Sequence, residues 1–121
     1  MIRFIGIKAI SDKLSLGEKP VLLDITPEAS YQKTHPRTAI NIPVERLKDP
    51  KVSSSYLTNP GKEIVIFAED YETEPAWEAA EILHARGYNN LYIYEGGKAK
   101  WVEDGQSFEA VHYPPGKGSA A

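Results

Sequence analysis

At 121 residues the chain suits one domain, long enough to bury a hydrophobic core without staples. A formal net charge of −3 gives no basic footprint for nucleic acid and no polybasic patch for a membrane. The cysteine count is zero, which excludes disulfides, cysteine–zinc sites and any thiolate nucleophile.

The opening "MIRFIGIKAISDKL" carries charge early and its apolar stretch is broken, unlike a signal peptide. No run approaches the length of a membrane span, so a soluble, cytoplasmic protein is expected. Ile7, Ile10 and Leu14 have helical spacing over residues 7–16, and Gly17 supplies a C-terminal stop. "PVLLDIT" (20–26) is an apolar run with a polar end, so a buried strand surfacing at Asp24 to Thr26. A short helix follows over 27–33, with Thr26 as N-cap and Pro27 at its first position. "AINIP" (39–43) is a second strand, stopped by Pro43. Residues 45–60 give weak signals: a short helix near Glu45–Leu47, then a polar connection containing "SSS".

"EIVIFA" (63–68) is β-rich and continuous, as a central parallel strand covered on both faces should be. A helix over 75–86 places Ala76, Ala80 and Leu83 on one face and ends at Gly87. "NLYIY" (90–94) is a further strand, and "GGKAKWVEDG" (96–105) a last short helix. The Pro/Gly/Ser-rich segment after Glu109 reads as an unpacked tail, giving a domain of residues 1–109 and a tail of 110–121. Short strands alternating with helices predict an α/β fold with a mostly parallel sheet. In such sheets ligands bind beyond the carboxyl ends of the strands. The loop after "IVIFA" lies at such an end, and it carries Glu69, Asp70, Tyr71, Glu72, Thr73 and Glu74.

Four collinear segments give the chain a resemblance to the rhodanese-like (sulfurtransferase) domain family over residues 5–109. They are "LLDITPEASY" (22–31), "HPRTAINIP" (35–43), "IVIFA" followed by "AAEIL", and "GYNNLYIYEGGKAKWVEDGQSFE" (87–109). The resemblance implies a five-stranded parallel sheet flanked by helices on both faces. It also implies a Cys at the end of the central strand, in a loop whose backbone N–H groups surround a bound persulfide. Ala68 stands at that position here. The glycine, arginine and serine expected in the loop are replaced by acids, and Thr26 stands where an Arg commonly follows the first strand's Asp.

Ala68 has no group that can attack sulfur or phosphorus. Two like charges ~4 Å apart cost roughly 1 kcal/mol in water and about 4 kcal/mol near a protein surface, so the acids disfavour an anionic substrate. Three readings of the acids stand side by side. They complement a helix N-terminus on a solvated loop; they meet a basic protein surface; or Asp70, Glu72 and Glu74 hold a hard cation, although calcium-loop spacing is lacking. Tyr71 is expected to be exposed and Trp77 to pack on the sheet. His35 matches a histidine that the family uses structurally, while His84 and His112 are isolated. Asp24 is expected to cap the short helix or orient the loop, and "EGG" at 95–97 is a backbone turn rather than a nucleotide site.

The expectation is a catalytically inactive rhodanese-like domain serving as a binding or regulatory module, with no catalytic residue, no metal and no cofactor. The alternatives are carboxylate- or metal-dependent chemistry in the 69–74 loop, or a sulfurtransferase whose Cys has been replaced by Ala68. A basic protein surface is the expected partner; the sequence is silent on oligomeric state.

Overall fold

The structure is a computed structural model and describes residues 2–104 and 111–112. Five parallel strands form the sheet: β1 (Ile2–Ile5), β2 (Val21–Asp24), β4 (Ile40–Asn41), β5 (Ile64–Phe67) and β6 (Leu91–Tyr94), in the order β1-β6-β5-β2-β4. The continuous "IVIF" is thus the central strand, as its lack of polar alternation predicts.

Its side chains alternate with period two between two cores. Ile64 and Ile66 face a cluster with Leu23, Leu47, Leu57 and Leu83. Val65 and Phe67 face a second cluster with Ile5, Ile10, Leu22, Tyr94 and Trp101. The first face is covered by α3 (Val44–Leu47), α4 (Pro50–Tyr56) and α5 (Glu74–Ala85). Ala76, Ala79 and Ala80 are fully buried on α5 and let that helix approach the sheet closely. The second face receives α1 (Ile7–Ser15) and α6 (Gly97–Glu103) through Ile10 and Trp101. Phe67, Tyr94 and Trp101 pack as an aromatic trio with centroids 4.8–5.4 Å apart.

Several sequence expectations need amending. The strand β1 has no forecast in the pattern, because four residues near the chain start carry no turn signal ahead of them. Its place is fixed by register with β6, Ile2 opposite Leu91 through Ile5 opposite Tyr94. The polar connection after residue 47 contains α4. Its Ser53, Ser54 and Ser55 hydroxyls donate back to the Pro50 and Lys51 carbonyls, so serine's competition with the backbone masked the helix. The readable sign was Asp49 before Pro50, since Asp49 caps α4 by accepting the Lys51 N–H at 3.0 Å. Helix α2 (Glu28–Lys33) has Pro27, not Thr26, as N-cap.

The expected boundary at residue 109 lies outside the described residues. Within 110–121 only β7 (Val111–His112) is described; its backbone pairs antiparallel with β3 (His35–Pro36). Among the described residues no helix is long and apolar enough to cross a membrane.

Gly97 sets the geometry at the site, and Gly87, at the far end of α5, is its comparison. Gly87 and Gly97 both have positive φ, +95° and +60°. A Cβ on Gly87 would meet open space, whereas one on Gly97 would stand 2.5 Å from the Ala68 carbonyl oxygen. Lys98 N–H donates to that same carbonyl at 2.9 Å, docking the start of α6 on the end of β5. Gly87→Ala is therefore expected to cost about 1–2 kcal/mol, the left-handed penalty alone, and Gly97→Ala distinctly more. Equal losses in urea unfolding would show that α6 moves aside freely.

Candidate active-site loop and the Lys98 cluster

The loop Ala68–Glu74 leaves β5 at its carboxyl end and enters α5. Ala68 is buried, and its methyl group is the only side chain at the position that ends the central strand. The carbonyls of Ala68 and Glu69 accept from the Lys98 and Ala99 amides, both at 2.9 Å, so α6 rather than a ligand receives this part of the loop.

The loop acids are not four free charges. The Asp70 carboxylate accepts the N–H of Glu72 at 2.9 Å, folding back on its own loop. Glu69 Oε1 accepts from the Ser30 hydroxyl at 2.8 Å and stands 3.7 Å from Lys98 Nζ. Glu72 and Glu74 remain exposed. Tyr71 is 59% exposed, as expected, with its ring edge against the Gly96 turn. Thr73 is the N-cap of α5, and its carbonyl accepts the Trp77 N–H at 2.9 Å. Trp77 packs on the sheet, edge-to-face on Phe4 of β1 5.7 Å away, but at its margin, where it stays 36% exposed.

Beneath the loop lies a cluster that the sequence reading missed. Lys98 is 4% exposed, and its ammonium is surrounded by Asp24 Oδ2 at 3.1 Å, Thr26 Oγ1 at 3.1 Å, Ser30 Oγ at 2.7 Å and the Thr34 carbonyl at 3.2 Å. Asp24 is fully buried, and its other oxygen accepts from Thr26 N–H at 2.8 Å and Thr26 O–H at 2.5 Å. Oδ2 makes no angularly proper hydrogen bond, so its contact with Lys98 is an ion pair at close range. Asp24 therefore orders the turn after β2 and anchors Lys98; it does not cap α2. A signal was present: Lys98 lies three residues before Trp101, on the same helical face, and Trp101 is core.

A serine beside a lysine amine is the raw material of a nucleophile. Here Lys98 Nζ donates to Ser30 Oγ at 2.7 Å and lies against Asp24, and the Ser30 hydroxyl in turn donates to Glu69. His35 is likewise structural: buried, with Nδ1 2.8 Å from the Tyr31 carbonyl and its ring stacked on Tyr31 at 3.6 Å. Among the described residues no three His, Asp or Glu side chains converge on a metal-sized site.

The model of the rhodanese-like domain matches residues 9–104. The chain belongs to the rhodanese-like domain family. Solved structures agree at the level of the fold. The Alr3790 protein of Anabaena sp. is 22% identical with a TM-score of 0.76, over 92% of this domain and 93% of that chain. A thiosulfate sulfurtransferase from Pseudomonas aeruginosa is 22% identical with a TM-score of 0.78, over 93% of this domain but 20% of that protein. Saccharomyces cerevisiae Ygr203w, described as a homolog of single-domain rhodanese and of the Cdc25 phosphatase catalytic domain, is 14% identical with a TM-score of 0.77 over 94% and 90%. No curated protein matches the sequence significantly. This rhodanese-like domain has no cysteine anywhere in its 121 residues, so sulfur transfer through a thiolate is closed to it.

Removing one partner of a buried ion pair leaves the other uncompensated and costs about 3–5 kcal/mol. Lys98→Met is expected to lose that much in equilibrium urea unfolding at neutral pH. Adding Asp24→Asn to Lys98→Met should recover part of the loss, because the amide keeps an acceptor for Thr26 and carries no charge. A loss below about 1 kcal/mol for the single variant would show the ammonium to be dispensable.

Proposed function

We propose that this rhodanese-like domain is a binding or regulatory module without thiosulfate sulfurtransferase activity and without phosphatase or arsenate reductase activity by a thiolate route. One observation carries the reading: the end of the central strand holds the Ala68 methyl, and the Glu69 carboxylate lies over Ser30 and the Lys98 amine at its mouth. A nucleophile is absent, and protein charges already answer one another where a substrate anion would be stabilised.

The partner is a basic protein surface. Glu72 and Glu74 are exposed and without an ion pair among the described residues, and Tyr71 stands between the acids as an exposed aromatic. Glu69 and Asp70 are also exposed, but each carboxylate already accepts a hydrogen bond from the protein. A carboxylate-held cation has less support, because the same internal bonds disperse the acids.

Ala68→Cys tests the reading. The variant is expected to show thiosulfate:cyanide sulfur transfer at background level, because a thiol alone does not supply a cradle for the anion. Substantial turnover would reveal a competent loop backbone and favour a sulfurtransferase with a replaced Cys. A melting temperature unmoved by Ca²⁺, Mg²⁺ or Mn²⁺ is expected in parallel, whereas a cation at a hundred times its Kd adds about 2.7 kcal/mol.

A further inference from the structure

We infer that the outer edge of β1, beside the Phe4–Trp77 pair, receives an extended polypeptide segment of alternating basic and apolar residues. The inference rests on the binding-module reading and names a surface next to the acidic loop where a partner strand would add to the sheet.

Three observations converge there. First, β1 ends the sheet, so among the described residues nothing pairs with its outer edge. Glu95 N–H donates to the Ile5 carbonyl at 2.9 Å, which turns Ile5 toward β6. In a parallel strand successive residues face opposite edges, so the N–H and C=O of Phe4 point outward. This edge is short and carries one charge, Arg3, whose side chain alternates to the Ile5 face and so away from Phe4; it has no lysine, proline or bulge.

Second, the side chains beside that edge form an anchor. Phe4 is 47% exposed and Trp77 36% exposed, and they meet edge-to-face at 5.7 Å. Aromatics that are half open and mutually ordered are the residues that dominate binding energy at interfaces.

Third, the charge around the anchor selects the partner. Glu74 and Glu81 lie one turn before and one turn after Trp77 on the exposed face of α5. Neither has an ion pair among the described residues, whereas Glu78, at the other margin, pairs with Lys48 of the segment after α3 at 3.5 Å. A second copy of the domain would bring the same carboxylates to the interface, on a chain of net charge −3. A basic strand neutralises them. Strand addition uses main-chain hydrogen bonds for affinity and alternate side chains for specificity, and this edge offers both.

The test uses the full chain and a fluorescein-labelled decapeptide alternating Lys with Val, with one central Phe. Its controls are the same peptide with Glu for Lys, and one N-methylated at alternate amides. The Lys peptide is expected to bind at least tenfold more tightly than either control, and more weakly as salt rises. Binding should slow amide hydrogen exchange at Phe4 at least tenfold. Trp77→Ala should weaken it at least tenfold, and Glu74→Gln with Glu81→Gln at least threefold. No binding of the Lys peptide, equal binding of the N-methylated peptide, or a Phe4 amide unprotected in the complex overturns the inference. So does a chain that sediments as a dimer and becomes monomeric on Phe4→Asp, since a second copy then owns the edge. Binding that survives N-methylation but falls with Glu72→Gln would sink the edge and leave the loop-centred module standing. Turnover by the unaltered chain would sink the module itself.

Discussion

The ammonium of Lys98 joins four segments of this rhodanese-like domain at one buried point. It meets the end of β2 through Asp24 and Thr26, α2 through Ser30 and the Thr34 carbonyl, the acidic loop through Glu69, and α6 as its own helix. Desolvating two ions is expensive, so such a pair is weak evidence of net stability by itself. Its consequence is geometric. The hydroxyls, the carbonyl and the second carboxylate complete the coordination, so the cost of burial is met only when all four segments hold their places.

That constraint sits within a whole scaffold. The aromatic trio, the alanine face of α5 and the two-sided core around β5 build the platform of a rhodanese-like domain. At the end of the central strand stand the Ala68 methyl and a linked chain of Glu69, Ser30, Lys98 and Asp24. Glycine at position 97 permits this, because only a residue without a Cβ lets α6 come within hydrogen-bonding distance of Ala68.

The acids of this stretch are all exposed, but they differ in their partners. Glu69 accepts from Ser30 beside Lys98 and Asp70 from the Glu72 N–H, whereas Glu72, Glu74 and Glu81 make no ion pair among the described residues.

Some of this follows from local rules and was readable in the chain. Zero cysteines closed the thiolate route at once; unbroken "IVIF" marked the central strand; "EGG" marked a backbone turn; exposed Tyr71 followed from its acidic neighbours. Each of these depends on a residue and its near neighbours in sequence. Tertiary structure alone decided the rest. β1 is a strand only because β6 lies beside it, and Trp77 is half exposed only because the sheet ends at Phe4. Lys98 finds Ser30, 68 positions away, within 2.7 Å. The spacing of Lys98 from Trp101 puts it on the core face of α6, but its charge partners are properties of long-range packing that no local pattern names.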